Sequence, residues 1–452
     1  TNKIHYHMER RSFLKNVGIS AAAPFFFSNG LFAAGSPNDK INVGLIGLGK
    51  MMSGHIGGLL ADKSVRITAI CDVEDERIAY NKNRIESHYK GRGESVSVKT
   101  HKDFRNLLAD KSVDAVFIVT PDHWHAIISV LAARAGKHIY CEKPLTFTVE
   151  EGQKIVDAVN ASGVVFQTGS QQRSEKSFRE AVRLAQSGML GEIKQVWCNI
   201  GRKFPVVYNW EAEPLPKGVD WEMWVGPTPM RPFSSHLLPF LAKTGYKYNH
   251  QWGEWRWHYD YGNGMQADWG AHHFDIAQWG LGMDGKGPKF VHVSEDQNKN
   301  IKSDTRNICY EYENGVMVYY GQPQALREKG YPNGHAMVTF VGTEGMATAS
   351  RGGIFWADSP ALRSGKVAPM KEPTYVSEGH KDNFFNAIRT GRPTICPPEV
   401  GASSCNMCII GNIAYKLGRR LEWDWKTRTF AGDSEANKYL RREYRGEWAN
   451  II

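Results

Sequence analysis

The sequence has few of the features that mark nucleic-acid-binding or membrane-spanning proteins. Its 56 lysines and arginines outnumber its 47 aspartates and glutamates, but they are dispersed and never form a run of five. Zinc-finger spacing, an RNA-recognition signature and a basic heptad region are all missing. Beyond residue 40 no stretch approaches the roughly 18 apolar residues needed to cross a bilayer. We therefore expect no nucleic-acid partner and no stable membrane span, while the net charge of +9 is compatible with anionic substrates.

Cysteine is also scarce, and its spacing does not indicate a zinc site. The chain has seven cysteines, so at least one has no partner within the chain. Cys405 and Cys408 form a CxxC pair, but no second pair or histidine follows at zinc spacing. In the helix predicted over residues 400–417 they lie at i and i+3, where two small buried side chains are the commoner explanation. We predict a structural role for both and no metal site; a redox or metal role is the alternative.

The first 38 residues have the pattern of a twin-arginine export signal. Arg10 and Arg11 precede an apolar stretch, and no charged residue occurs between Lys15 and Asp39. Proline, serine, asparagine and glycine interrupt this stretch, which suits a signal segment better than a membrane-spanning helix. We expect residues 1–38 to be a signal peptide or N-terminal arm that directs export to the periplasm. The alternative is an amphipathic N-terminal helix.

Residues 41–72 carry the pattern of a βαβ unit that binds a dinucleotide. An apolar run predicts a buried strand at residues 43–46, and a glycine turn after it leads into a helical stretch. A second apolar strand, Val65–Cys71, is followed by Asp72. This order of strand, glycine turn, helix, strand and acid is typical of a Rossmann fold.

The residue types in this unit suit the chemistry of NAD. Gly47 permits the tight turn, Gly49 lets the backbone approach the pyrophosphate, and Asp72 can accept hydrogen bonds from a ribose 2′-hydroxyl. The carboxylate would repel a 2′-phosphate, which favours NAD over NADP. Met52 stands where the fingerprint has its third glycine, so an α/β sheet without nucleotide is the alternative. The predicted cofactor contacts here are Gly47, Gly49, Lys50, Met51 and Asp72.

Regular alternation of apolar strands and helices continues to residue 168 and then ends. We therefore predict a doubly wound parallel sheet over residues 39–168. Residues 169–452 contain strands rich in aromatic and β-branched residues, which predict an α+β domain with a large, open, mostly antiparallel sheet. An exposed face of that sheet would favour a homodimer or homotetramer. The aromatic-rich segment over residues 208–261 is long enough to line a ligand site.

Two short polar segments follow strands of the first domain, where an α/β sheet binds its ligands. TPDHWH begins at Thr120, and EKPL begins at Glu142. Lys143 would project from a backbone fixed by Pro144 and can hydrogen-bond an alcohol that is being oxidised. The predicted cofactor contacts here are Thr120, Pro121, His123, His125, Glu142 and Lys143. A solvated lysine after a strand is the alternative for Lys143.

A second constellation lies in GMQADWGAHHFD, residues 264–275. On one helix Asp268 and His272 are four residues apart and share a face, so the carboxylate can orient the imidazole as a proton acceptor. A metal site built from the two histidines and two aspartates is an alternative, although no known metal motif accompanies them. A structural His–Asp pair is another alternative.

Several motifs together resemble those of the Gfo/Idh/MocA family, the glucose–fructose oxidoreductase and inositol dehydrogenase-like NAD(P)-dependent enzymes. They are TPDHWHA, EKPL, DWEMWVGP, DWGAHHFD and GNIAYKLGR. The resemblance covers nearly everything after Asn42 and implies that Lys143, Asp268 and His272 are the catalytic group. It implies His272 as the general base and Lys143 as the group that polarises the substrate oxygen. The N-terminal signal resembles that of exported members that hold their cofactor tightly.

The resemblance implies an oxidoreductase that transfers hydride between NAD and a secondary alcohol of a sugar, glycoside or polyol. The predicted substrate contacts are Gln171, Arg173, Trp257, Tyr261, Asp268, His272 and His273. One alternative is a glycoside hydrolase that uses transient oxidation, elimination, hydration and re-reduction with bound NAD. The other is a non-catalytic sugar-binding protein of the same fold, against which the intact Lys143, Asp268 and His272 argue.

Overall fold

The computed structural model describes residues 40–452 except 202, 241–251, 296–305, 324–327, 329–335, 365 and 372. The predicted export signal therefore lies outside the described residues. The first sheet has six parallel strands in the order β3-β2-β1-β4-β5-β6. They are β1 Ile41–Ile46, β2 Val65–Cys71, β3 Lys99–His101, β4 Ala115–Ile118, β5 His138–Cys141 and β6 Phe166–Thr168. The predicted doubly wound parallel sheet is confirmed.

Helices connect these strands as predicted. They are α1 Lys50–Ala61, α2 Asp75–Gly91, α3 Phe104–Leu108, α4 Asp122–Arg134 and α5 Val149–Ser162. Helix α4 begins directly after Pro121, at Asp122, so all but the first two residues of TPDHWH lie within it. Proline before the first turn and an acidic residue within it both favour a helix start. The histidines of TPDHWH consequently lie in a buried helix.

The second sheet has nine strands in the order β13-β12-β11-β7-β10-β9-β8-β14-β15. They are β7 Ile193–Asn199, β8 Phe290–Glu295, β9 Arg306–Glu311, β10 Met317–Tyr320, β11 Met337–Gly342, β12 Met346–Ser350, β13 Ile354–Ala357, β14 Leu421–Asp424 and β15 Thr429–Phe430. Only the β7–β10 pair is parallel among the strand pairs of the described sheet. The predicted mostly antiparallel sheet is confirmed, although β12 to β15 were not predicted.

The described part of the second domain also contains helices, several of which pack against its sheet. They are α6 Lys176–Gln186, α7 Trp221–Val225, α8 Gly264–Asp268, α9 Gly270–Gly280, α10 Pro360–Arg363, α11 His380–Thr390, α12 Pro398–Leu417 and α13 Ser434–Asn437. The long helix α12 packs against both α5 and α9, so one apolar core extends across the two domains. Cys405 and Cys408 lie in it, and all seven cysteines are buried with free thiols. In the described part of the chain no helix is long and apolar enough to span a membrane.

Candidate active site

A cavity of about 680 Å³ lies at the carboxyl ends of β1, β2, β4 and β5. Its opposite wall comes from the aromatic-rich segment that the sequence placed near a ligand, including Trp252, Trp255 and Trp257. Its far end is formed by α8, α9 and the turn after β12. One continuous cavity therefore contains the glycine turn, the EKPL segment and the Asp268–His272 segment.

The glycine turn is shaped to admit a ligand at the start of α1. Gly47 has φ +82°, and a Cβ there would lie 2.7 Å from the Val119 carbonyl oxygen, so the turn requires glycine. Gly49 precedes α1, and a Cβ there would meet only the Arg77 guanidinium, at 3.5 Å. The space in front of the helix N-terminus is open to an anionic group. Met52 is completely buried, so the site of the missing third glycine is filled by core packing.

Asp72 both lines the cavity and supports the turn. Its Oδ2 accepts from the Leu48 backbone N–H at 2.7 Å, and its Oδ1 accepts from the Glu74 N–H at 3.1 Å. Each carboxylate oxygen has a second lone pair, so both can still accept from a ribose hydroxyl. Arg77, which the sequence analysis did not select, lines the same end of the cavity and is paired with Glu74 at 2.8 Å. These residues are placed to contact the ribose of a bound dinucleotide.

Lys143 and Asp268, 125 positions apart, meet in the cavity. Lys143 Nζ donates to Asp268 Oδ1 at 2.8 Å and to the Asp268 backbone carbonyl at 2.6 Å. Arg256 also approaches the carboxylate, with Nε 3.8 Å from Oδ1. Burial alone would raise the pKa of Asp268, but the charges of Lys143 and Arg256 outweigh it and hold this pKa below its usual value. The pair holds Lys143 at a fixed point facing the cavity.

The predicted pairing, in which the Asp268 carboxylate orients the His272 imidazole, is wrong. Trp269 separates α8 from α9. The Asp268 carboxylate pairs with the cations Lys143 and Arg256, which attract it more strongly than a neutral imidazole does. His272 Nε2 instead accepts from Arg351 Nη2 at 2.8 Å. A guanidinium only donates, so in this arrangement the neutral ring carries its proton on Nδ1.

The surroundings of His272 favour the neutral imidazole. Burial, with the nearby Lys143 and Arg351 cations, holds the pKa of His272 well below its ordinary value. Nδ1 is buried and makes no hydrogen bond among the described residues. The lone pair on Nε2 is therefore the only one available to take a substrate proton, and Arg351 occupies it.

Glu142, next to Lys143, is a buried carboxylate with two side-chain hydrogen-bond partners. Its Oε1 accepts from Gln171 Nε2 at 2.7 Å and lies 2.8 Å from His55 Nε2. Burial would raise the pKa of Glu142, but the hydrogen bond and charge of His55 outweigh it and lower this pKa. His55 comes from α1, so this contact ties the dinucleotide helix to the EKPL segment; the sequence analysis did not anticipate it.

Asp122 also faces the cavity and was not selected from the sequence. It is the first residue of α4 and only 5% exposed, and its carboxyl group makes no hydrogen bond or ion pair with other described residues. Burial, only partly offset by the charge of Arg256, raises the pKa of Asp122 to about 8. At neutral pH this side chain is a neutral acid that can donate a hydrogen bond into the cavity.

Among the other predicted contacts, several line the cavity as expected. They are Lys50, Met51, Thr120, Pro121, Gln171 and Trp257. Lys50 Nζ stands 4.4 Å above the ring of Trp252, and the Arg256 guanidinium stands 4.2 Å from the same ring. Aromatic faces and cations therefore share this wall of the cavity.

Two predicted cofactor contacts belong to the scaffold instead. His123 is 1% exposed and its Nε2 is hydrogen-bonded to the Trp224 carbonyl at 2.9 Å. His125 bridges the Pro144 carbonyl at 2.7 Å and the Thr120 carbonyl at 2.9 Å. Because α4 begins at Asp122, both rings turn into the core. His125 holds TPDHWH against EKPL, and neither histidine lines the cavity.

Three predicted substrate contacts are likewise absent from the cavity wall. Arg173 is 1% exposed and its guanidinium is paired with Asp275 and Asp284, at 2.7 Å in each case. Tyr261 is completely buried in an aromatic cluster, and His273 is completely buried with Nδ1 3.0 Å from the Trp269 carbonyl. These polar side chains were predicted to bind substrate, but they are buried and pack within the protein core.

The metal alternative gains no geometric support. Within the described ranges, histidine, cysteine, aspartate and glutamate form no group of three placed to hold a metal ion. Asp268 and Asp275 are instead neutralised by basic side chains, at 2.8 Å from Lys143 and 2.7 Å from Arg173.

Comparison with known proteins agrees with this architecture. The family model described as the oxidoreductase family, NAD-binding Rossmann fold, matches residues 41–170. The model described as the oxidoreductase family, C-terminal alpha/beta domain, matches residues 175–450. Together they account for most of the chain.

Relatives and solved structures point the same way. The uncharacterized oxidoreductase YrbE of Bacillus subtilis is 26% identical over 375 residues, covering 80% of this chain and 90% of its own length. Inositol 2-dehydrogenase of Salmonella typhimurium is 30% identical over 156 residues, which is 34% of this chain and 43% of that protein. The WlbA dehydrogenase of Bordetella pertussis, solved with NADH and UDP-GlcNAcA, shares the fold with a TM-score of 0.57 at 17% identity, covering 86% of this chain and 99% of that one. The protein is therefore an oxidoreductase of the Gfo/Idh/MocA family with an NAD-binding Rossmann domain.

Proposed function

We propose that the protein oxidises a secondary alcohol of a sugar, glycoside or polyol, with NAD as hydride acceptor. The observation that carries the proposal is the position of Lys143. Its Nζ is held by Asp268 of the other domain, at 2.8 Å, in the cavity that begins at the glycine turn. A dinucleotide and a hydroxylated substrate can therefore share one water-poor space.

The chain offers a defined set of contacts for the cofactor. Gly47 and Gly49 leave room at the N-terminus of α1, and Asp72 presents carboxylate oxygens beside it. When bound there, NAD supplies the acceptor for the hydride that leaves the carbinol carbon. The Asp72 carboxylate disfavours a 2′-phosphate, which supports NAD over NADP. We expect tight binding because Trp252, Trp255 and Trp257 line the cavity and add apolar contact area for the bound dinucleotide.

Lys143 and His272 act on the proton of the substrate hydroxyl. Lys143 donates a hydrogen bond to the substrate oxygen and stabilises the negative charge that develops as the O–H proton leaves. His272 Nε2 accepts that proton, which requires its hydrogen bond from Arg351 to be given up first. The rings of Trp257 and Trp269 provide apolar faces against which a sugar ring can pack.

The test uses purified protein, from which any bound nucleotide is released and identified by mass spectrometry. Sugars, glycosides and polyols are then supplied with NAD or NADP while nicotinamide absorbance and product masses are followed. We expect reduction of NAD and a product lighter by two hydrogens. Release of free sugar with no net reduction would instead support the redox glycosidase. Failure to bind or reduce either nucleotide would refute the proposal.

Export and self-association are part of the same proposal. The twin-arginine pattern of residues 10–11 predicts that the mature protein accumulates in the periplasm, which cell fractionation tests. The side of β7 that carries Trp197 is only partly buried, with Trp197 stacked on Tyr319 at 4.5 Å. A second copy covering this face would give a dimer or tetramer, which light scattering distinguishes from a monomer.

A further inference from the structure

Arg351 stands at the far end of the cavity in a position that ion pairing does not explain. It directly follows β12, and its guanidinium lies 4.7 Å over the ring of Trp269. Nη2 donates to His272 Nε2 at 2.8 Å. With the Gln172 amide oriented to satisfy both neighbours, Nε donates to its oxygen at 3.0 Å. Nη1 makes no hydrogen bond within the described chain.

The charge of Arg351 is not neutralised by any close carboxylate. Among the described residues, no aspartate or glutamate oxygen lies within 4.0 Å of it, whereas Lys143 and Arg256 both approach Asp268. Glu175 lines the same end of the cavity and acts on Arg351 only from a longer distance. Burial lowers the pKa of Arg351 and raises that of Glu175. Neither the Arg351 cation nor the Glu175 anion is therefore fully neutralised by a neighbouring charge. A partly buried guanidinium without a counterion gains most from an anionic ligand.

We propose that Arg351 binds the carboxylate of an acidic sugar, such as a uronic acid, and that this contact releases His272 as the base. The inference rests on the proposed function and specifies its substrate class. A guanidinium fork matches a carboxylate with two parallel hydrogen bonds, which are stronger than one bond to a neutral imidazole. The two oxygens of a planar carboxylate match this fork, whereas a neutral hydroxyl offers it only one weaker acceptor.

This arrangement links recognition to chemistry. Without a carboxylate, Arg351 keeps its hydrogen bond to Nε2, and the only available proton acceptor on His272 remains occupied. When a substrate carboxylate draws the guanidinium away, Nε2 faces the cavity and regains basicity. Neutral sugars are therefore expected to react slowly even when they bind, so that the preference appears in kcat as well as in KM.

The test compares matched pairs of sugar acids and neutral sugars with NAD as acceptor: glucuronate with glucose, galacturonate with galactose, and mannuronate with mannose. In the wild-type protein we expect at least one acid to exceed its neutral partner about 100-fold in kcat/KM, the range expected for a buried charge pair. Arg351→Met should bring the ratio to within about 10-fold, while Arg351→Lys should recover part of it, because lysine keeps the charge but loses the fork. Glucose 6-phosphate should be no better than glucose.

A binding measurement and a control variant distinguish failure of this inference from failure of the proposed function. Calorimetry should show the preferred acid binding to the wild-type protein and about 10-fold or more weaker binding to Arg351→Met. Arg363→Met removes an arginine stacked 5.2 Å from Trp356 outside the cavity and should leave the acid-to-neutral ratio unchanged. Equal losses for acids and neutral sugars in Arg351→Met would overturn the inference, as would a wild-type preference for neutral or phosphorylated sugars. Oxidation of none of the compounds, with no nucleotide bound, would overturn the proposed function itself.

Discussion

Replacing Asp122 with asparagine should make the protein more stable relative to wild type as the pH rises. Burial raises the pKa of Asp122 to about 8 in the folded protein, while an aspartate in the unfolded chain ionises near pH 4. Between these values the folded state holds a proton that the unfolded chain has lost. The free energy of unfolding of the wild-type protein therefore falls with increasing pH across this window.

The size of the effect follows from the same two pKa values. Each pH unit within the window changes the contribution of Asp122 by about 1.4 kcal/mol. Between pH 5 and pH 7 the stability of Asp122→Asn relative to wild type should thus rise by about 3 kcal/mol at most. Above pH 8 the difference should level off, because Asp122 is then ionised in both states.

Urea unfolding at pH 5, 6, 7 and 8 provides the assay. Asp110→Asn is a matched control, because the hydrogen bond from Lys99, 2.7 Å from the carboxylate, holds the pKa of Asp110 below its usual value. Asp110 is charged in both states between pH 5 and pH 8, so its variant should differ from wild type by a constant amount. A similarly constant difference for Asp122→Asn would show that this carboxyl is ionised in the fold and would refute the reasoning.

Four further substitutions test other parts of the structure. Gly47→Ala should destabilise the fold by about 2 kcal/mol or more, since it places a Cβ at φ +82° and 2.7 Å from a backbone oxygen, and a fall in Tm would show this. Gly49→Ala meets nothing closer than 3.5 Å and should keep the Tm but weaken NAD binding in calorimetry; unchanged binding would contradict the proposed cradle. Lys143→Met should lower kcat by about 10²- to 10⁴-fold with little change in NAD affinity, and an unchanged kcat would remove Lys143 from the chemistry. Arg173→Met should cost about 3–5 kcal/mol of stability by leaving Asp275 buried with the Ser404 hydroxyl but no cationic partner, and a loss of substrate binding at normal stability would restore the original prediction of a substrate contact.

The sequence was most informative where local signals agree with the fold. Helix α5 begins and ends at clear local signals, because Thr148 and Glu151 form a capping box and Gly163 terminates the helix at φ +69°. Strand β2 was predicted with its observed ends from an apolar run before Asp72. By contrast β12, Met346–Ser350, is buried at every position, and after Met346 it consists of alanine, threonine and serine, so it lacks the aromatic and large β-branched residues that indicated the other strands.

The site was predictable as a set of residues but not as a set of contacts. Lys143, Asp268 and His272 line one cavity, as the motifs suggested. Helical spacing could not reveal that Asp268 would accept a hydrogen bond from Lys143, 125 positions away. Nor could it reveal that His272 would be hydrogen-bonded to Arg351 instead of Asp268. Arg351 is followed by two glycines, and nothing in this local sequence marks it as a cavity residue. The strand pairing of the second sheet brings it to the cavity.

Transfer of a labelled hydrogen tests the central claim most directly. Wild-type protein loaded with NAD would be given a sugar or sugar acid that carries deuterium on its secondary carbinol carbons, and the nicotinamide would be analysed by mass spectrometry after reaction. The proposed function predicts deuterium in the reduced nicotinamide and an oxidised product that has lost it. Product formed without deuterium in the nicotinamide, or no nicotinamide bound under any condition, would contradict the account.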